Sequence, residues 1–177
     1  SASGLAAASH EVVDSSGRAV VMLPGGSVLS LVDAAALVRG RNAGMAVVQT
    51  AQVSATGDFT HWTTAANPGV CAPASAVDLA AGAVRVVAVM SHSGPEGAPN
   101  IVAQSTYPQD GIGCVGLIVT DVAVMRLEYG RLVLTEIAPG WRADDVAAIT
   151  GAPLDVASEL REMTFDPPNL EVLNKEY

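Results

Sequence analysis

The side chains with chemical potential in this chain are few and scattered. Three histidines, His10, His61 and His92, have no metal-ligand spacing: no two stand four apart, and none joins a Cys or Asp cluster. They read as surface or locally hydrogen-bonded groups. His61, beside Trp62, is the best placed for general acid–base work. Ser1 has the makings of an N-terminal nucleophile whose own amine acts as base; the plainer reading is that residue 1 is simply where the chain starts. Cys71 and Cys114 lie in apolar contexts and read as buried free thiols rather than a disulfide. Gly25-Gly26 and Gly111-Ile112-Gly113 fit no phosphate-loop pattern and read as turns.

The elements that must position these groups are mostly strands. Arg18 to Leu23 is a short apolar run stopped by Pro24-Gly25-Gly26. Ser30 caps a helix over Leu31 to Arg39, closed by Gly40. Met45 to Thr50 reads as a buried strand, and Ala55-Thr56-Gly57-Asp58 as a hairpin turn. Thr63 to Ser75, with Pro68, Gly69 and Pro73, is a loop; Val77 to Ala83 is a short helix, and Val84 to Met90 is the clearest central strand. Gly94, Pro95, Gly97 and Pro99 make an exposed turn. Ile101 to Thr106, Cys114 to Thr120, Val122 to Glu128 and Leu132 to Ile137 are further strands, the last two joined at Tyr129-Gly130-Arg131. Ala143 to Ile149 is helical, with Asp144 and Asp145 where the helix dipole favours them. Asp155 to Met163 also reads as helical, and 164–177 as an acidic tail.

The 177 residues are half hydrophobic and only 15% charged, which is a well-buried α/β composition. With aromatics at 4%, the core is aliphatic, which favours strands buried on both faces. Net charge is -9 and no stretch concentrates Lys or Arg, which disfavours nucleic-acid binding. No apolar run is long enough to cross a bilayer, so a cytoplasmic protein is expected. Together the elements give an α/β fold whose mixed sheet is covered on both faces.

The run Gly113-Cys-Val-Gly-Leu-Ile-Val-Thr-Asp121, then Leu132-Val-Leu-Thr-Glu-Ile-Ala-Pro-Gly140, then Thr150-Gly-Ala-Pro153, resembles the second, or beta, chain of the two-subunit family I CoA-transferases. Leu23-Pro-Gly-Gly-Ser27 is similar to the family's L-P-G-A-S. Ala51 to Asp58, followed by Trp62, is similar to A-M-Q-V-S-x-x-G-D-L-A-N-W, with His61 on the Asn. Val77-Asp-Leu-Ala-Ala-Gly-Ala83 is similar to M-D-L-V-x-G-A, and Ser91-His92 and Gly97-Ala98-Pro99 fall on the E-H and D-G-[ST]-P segments. Order and gaps match over residues 19–163. The resemblance implies an open α/β/α sandwich of the CoA-transferase-like fold, in a single domain over 1–163. It also implies an A-type partner subunit, or an N-terminal fragment in its place, and an acyl-CoA substrate. CoA is then substrate, and no other cofactor is implied.

The resemblance also places the site. The family's nucleophile is the Glu of S-E-N-G-[IL]-L-G, a carboxylate that attacks the acyl-CoA carbonyl and then carries CoA as a glutamyl thioester. Here that segment is Ser1-Ala2-Ser3-Gly4-Leu5, with Ala2 on the Glu and Ser3 on the Asn. The nearest carboxylate, Glu11, fits an ordinary surface residue. Where the family reads G-G-A-M-D, this chain has Ala74-Ser75-Ala76-Val77-Asp78, whose side chains narrow or re-line the pocket. The family's strand and helix ahead of S-E-N-G have no counterpart, and its M-G-P-x-P segment after it is shortened away. Candidate catalytic residues are therefore Ser1, Ser3 and His61, and candidate substrate-binding residues Gly4, Gln52, Ala74, Ser75 and Ala76. With Ala2 in place of Glu, three readings stand: a subunit with altered chemistry (hydrolysis, decarboxylation or C–C lysis), a non-catalytic structural subunit, or an ordinary transferase whose Glu lies on a missing piece.

Overall fold

The computed structural model describes residues 9–13, 19–20, 29–42, 44–61 and 74–164. They fall in two compact units, Ser1–Ala34 and Ala35–Tyr177. In the first, β1 (Ser9–Val13) pairs antiparallel with β2 (Ala19–Val20). The helix α1 (Leu31–Leu37) begins there as expected. The Ser30 hydroxyl oxygen accepts the Asp33 N–H at 3.1 Å and its proton goes to the Asp33 carboxylate at 2.7 Å, satisfying an otherwise orphaned donor of the first turn. Gly40 does not close the helix: the chain winds on as a π-type turn over Val38–Asn42.

The second unit is built on a six-stranded mixed sheet. Its strands are β3 (Met45–Gln49), β6 (Arg85–Val89), β8 (Val115–Val119), β9 (Ala123–Glu128), β10 (Arg131–Ile137) and β11 (Leu154–Glu162), in the order β11-β10-β9-β8-β6-β3. The run β3-β6-β8 is parallel, β9 is antiparallel to both neighbours, and β11 is parallel to β10. A second sheet of three short strands, β4 (Gln52–Ser54), β5 (Phe59–Thr60) and β7 (Ile101–Val102), has the order β5-β4-β7. The parallel pairs need crossovers. These contain α2 (Ala74–Gly82) between β3 and β6, and α3 (Ala143–Ala148) between β10 and β11. In α3 the Asp145 carboxylate accepts the Arg142 N–H at 3.0 Å.

The core lies between the sheets. Val48, Val86, Ala88, Ile118, Met125 and Leu134 of the large sheet meet Val53, Phe59 and Ile101 of the small one, with Val146 of α3 and Leu79 of α2. No Cβ fits at Gly82, because the Val38 carbonyl occupies that space; this lets α2 close on the π-type turn, where Arg39 and Asp78 pair at 2.6 Å. At the β9–β10 hairpin Tyr129 (φ 52) and Gly130 (φ 76) are both left-handed, the turn whose twist matches antiparallel strands.

The structure corrects several expectations. Residues 154–162 are the edge strand β11, not a helix. Helix α2 starts at Ala74, so Ala74, Ser75 and Ala76 form its first turn rather than a loop and a helix from Val77. Strand β3 is not buried on both faces but alternates exposed and buried, and β6 lies next to it near one edge of the sheet, not at its centre. The strand expected over Ile101 to Thr106 is two residues long. Cys114 is a free, half-buried thiol; Cys71 and the tail from 165 lie outside the described residues.

Candidate functional site

The parallel strands β3 and β6 end side by side, and the chain leaving each runs into the small sheet, as the paired strands β4 and β7. A crevice opens at this carboxyl edge, where α/β sheets commonly bind ligands. Here it encloses about 1040 Å³. Gln49 and Thr50 line it from β3, Met90 and Ser91 from β6, Gln52 from β4, and His61 from just beyond β5. Glu96, Asn100, Thr106 and Tyr107 complete its far side. The strand ends are locked together: the Thr50 N–H donates to the Val89 carbonyl at 3.1 Å, and the Thr50 hydroxyl to Met90 Sδ at 3.4 Å.

Two of the residues chosen from sequence meet here. The amide of Gln52 grips Thr106 at both ends: its Oε1 accepts the Thr106 N–H at 2.8 Å and its Nε2 donates to the Thr106 hydroxyl at 2.9 Å. Gln52 is thus placed to hold the 103–107 segment against the crevice. The His61 backbone N–H donates to Asp110 Oδ2 at 2.7 Å, and its ring Nδ1 lies 2.7 Å from the Gln49 carbonyl. A carbonyl can only accept, so Nδ1 carries a proton, and a neutral ring keeps its free lone pair on Nε2. Ala74, Ser75 and Ala76 open α2. A crossover helix between two parallel strands runs antiparallel to them, so this first turn lies toward the sheet edge that carries the crevice; the three side chains are outside the described set. Ser1, Ala2, Ser3 and Gly4 lie outside the described residues, as does Trp62.

Sequence reasoning missed Ser91, Glu96, Asn100, Thr106 and Tyr107. All five follow the carboxyl ends of β6 and β7, and that position is the signal that would have found them. Glu96 adopts φ 61 in the turn Pro95–Gly97, a left-handed conformation unusual for a residue other than glycine. Asn100 is held by its Nδ2 donating to the Ser91 carbonyl at 3.0 Å. The crevice therefore offers amide and hydroxyl groups, one imidazole and one carboxylate. No cluster of metal-ligating side chains exists among the described residues.

Two polar constellations lie outside the crevice and are structural. His92 is fully buried between Thr120 Oγ1 (3.1 Å from Nδ1) and Thr150 Oγ1 (3.0 Å from Nε2), and its backbone N–H donates to Asp121. Burial depresses its pKa below 6.5, against the pull of the Asp121 charge. Burial would raise the pKa of Asp58, but hydrogen bonds from the Thr56 hydroxyl, the Gly113 N–H and the Ser54 hydroxyl hold it below 3.8. This carboxylate ties the β4–β5 hairpin to the 111–113 loop. Burial, with help from the Asp58 charge, pushes the Cys114 thiol up, which keeps it inert.

Comparison with known proteins matches this arrangement to one group. The chain is 33% identical over 144 residues to the second of the two chains of 3-oxoadipate CoA-transferase from Pseudomonas putida, covering 81% of this chain and 68% of that one. It is 30% identical over 158 residues to the beta chain of acetate CoA-transferase from Escherichia coli K12, covering 88% and 72%. Among solved structures it resembles an acyl-CoA transferase (YdiF) from Escherichia coli O157:H7, with a TM-score of 0.70 at 14% identity. That match covers 86% of this chain but only 33% of the other. It also resembles the decarboxylase AibA/AibB, with a TM-score of 0.64 at 17% identity over 84% of this chain and 62% of that one. These likenesses give the fold as CoA-transferase-like. No family model matches the chain.

Proposed function

Because the chain belongs to the family of CoA-transferase beta chains, we propose that it is the beta-type half of a two-subunit enzyme that takes an acyl-CoA, with the acyl group seated in the crevice at the ends of β3 and β6. The observation that carries this reading is the crevice itself, at a sheet edge where such folds bind ligands, with His61 and Gln52 on its wall. Ser91, Asn100 and Tyr107 supply hydrogen-bonding groups that can orient a thioester or acyl oxygen. His61, its tautomer set by the Gln49 carbonyl, presents Nε2 for proton transfer. Gln52 and Asp110 keep that wall in place from behind.

Transfer through a glutamyl thioester requires a carboxylate where this chain has Ala2. We therefore favour altered chemistry: hydrolysis, decarboxylation or C–C lysis. The resemblance to the AibA/AibB decarboxylase supports decarboxylation among these. In that reaction the electron pair left by carbon dioxide enters the thioester carbonyl, donors to that oxygen stabilise it, and His61 takes a proton from solvent at Nε2 and passes it to carbon. The test is to co-express and co-purify the chain with an A-type subunit and incubate the complex with a panel of acyl-CoAs and acceptor acids. Acyl-CoA consumption without transfer to the acceptor, lost in His61→Gln, supports the reading. Stoichiometric CoA transfer to the acceptor overturns it in favour of an ordinary transferase. No consumption of any acyl-CoA favours a structural role.

A further inference from the structure

Several polar side chains of the crevice have already spent their hydrogen bonds on the protein. The Thr50 hydroxyl donates to Met90 Sδ, the Gln52 amide grips Thr106, and His61 Nδ1 is bound to the Gln49 carbonyl. Asn100 differs. Its Nδ2 gives one hydrogen to the Ser91 carbonyl at 3.0 Å, and because a carbonyl only accepts, that bond fixes which end of the amide is the donor. The second hydrogen on Nδ2 has no partner among the described residues. The residue is also pinned from both sides: its backbone N–H donates to the His92 carbonyl at 3.1 Å, and its carbonyl accepts the Val53 N–H at 3.0 Å. Gly94 stands against the other end of the amide. A Cβ there would lie 3.1 Å from Asn100 Oδ1, tighter than ordinary packing, while the Ala98 carbonyl oxygen would be at a comfortable 3.6 Å. Gly94 has φ -84 and ψ -167, extended backbone open to any residue. Its missing side chain therefore serves to leave room for the Asn100 amide.

We propose, resting on the acyl-CoA reading above, that Asn100 is a catalytic residue whose second Nδ2 hydrogen bonds the thioester carbonyl oxygen, and that Gly94 is a positioning residue that sets the amide for it. Each of the three altered chemistries puts charge on that oxygen. In hydrolysis water bonds to the carbonyl carbon and the C=O π pair moves to oxygen; the pair returns as the C–S bond breaks, and His61 carries the water's proton to the thiolate. In decarboxylation or C–C lysis the pair of the breaking C–C bond moves to the same oxygen and returns when the α-carbon takes a proton. A donor fixed before the reaction meets this charge without reorganising. The Ser91 and Tyr107 hydroxyls also line the crevice, but a hydroxyl hydrogen rotates about its C–O bond and offers no fixed direction.

The test uses the chain co-purified with an A-type subunit. The first probe is acetyl-CoA labelled with carbon-13 at its thioester carbonyl. In infrared difference spectra the carbonyl band of the bound probe should move to lower frequency, and Asn100→Ala should remove most of that shift. For each acyl-CoA that the complex consumes, Asn100→Ala should lower kcat roughly 10²–10³-fold with little change in KM. Gly94→Ala should lower kcat a few-fold in the wild-type background and have no further effect on top of Asn100→Ala, whereas a merely structural glycine would cost the same in both. If Asn100→Ala folds poorly, Gly94→Ala alone must weaken the band shift, and an unchanged band overturns the proposal. An unshifted band in the wild type, an unchanged kcat, a rise in KM alone, or additive effects of the two changes would also overturn it. A complex that consumes acyl-CoA and is indifferent to Asn100→Ala removes this inference alone; one that consumes none removes the functional reading and this inference with it.

Discussion

Replacing His92 tests how the loops behind the crevice are held. The ring is 1% exposed and bridges three segments: the end of β6, the β8–β9 turn through Thr120, and the end of α3 through Thr150. A neutral ring has one N–H and both threonine hydroxyls already donate to carbonyls, so His92→Leu deletes one net buried hydrogen bond, worth about 1 kcal/mol. Neither threonine is orphaned, because Thr120 still donates to the Ala123 carbonyl at 3.0 Å and Thr150 to the Val146 carbonyl at 2.7 Å. The expected loss is therefore about 1 kcal/mol, or roughly 2–4 °C in melting temperature for a domain of this size. The pH dependence is the sharper readout. Burial lowers the His92 pKa below 6.5, so the unfolded chain takes up the proton first. This group's contribution is then constant above the unfolded value, and stability falls as the pH drops through it, levelling off below the folded pKa. The two threonine oxygens and Asp121 pull the other way, since an imidazolium can donate to both threonines. Urea melts at pH 5 to 8, with and without His92→Leu, decide the balance. A wild-type protein that gains stability on acidification through this range, with the gain lost in the variant, would refute the argument that burial dominates. A variant melting within a degree of wild type would refute the clamp itself.

Asp58→Asn should cost about 1 kcal/mol at neutral pH, the modest value expected of a carboxylate open to solvent. Because the folded pKa of Asp58 is depressed, its contribution is present above pH 3.8 and is lost as the pH falls through the folded value; a variant as stable as wild type at pH 7 would contradict the role of the Ser54–Thr56–Asp58 clasp. His61→Gln should lower kcat roughly 10²–10⁴-fold with little change in KM, whereas a rise in KM alone would make His61 a binding residue. Borohydride after acyl-CoA treatment should leave no reduced adduct on this chain, since Ala2 cannot form a glutamyl thioester; a mass shift mapped to Glu11 would overturn that expectation. Ser75→Trp, in the first turn of α2, should abolish turnover while leaving the melting temperature nearly unchanged, and a stability loss with normal activity would remove Ser75 from the site.

Much of the fold was legible because its signals are local. The Ala55–Asp58 and Tyr129–Gly130 turns declare themselves through Gly57 and Gly130, which take left-handed backbone freely, and α3 through its first-turn aspartates. Strands β8, β9 and β10 lie within a residue or two of where apolar runs place them. Gln52 and His61 were found because their motif segment is contiguous with the β4–β5 hairpin. What local reading could not supply is pairing. Residues 154–162 alternate polar and apolar only loosely, and Val156, Leu160 and Met163 also suit a helix; the parallel partner Leu132↔Leu154, reached across α3, makes them a strand. The open side of β3 depends on what packs over it, which no run of five residues specifies. The crevice is wholly tertiary: Gln49 and Tyr107 lie far apart in sequence, and they meet because parallel strands bring their carboxyl ends to one edge of the sheet.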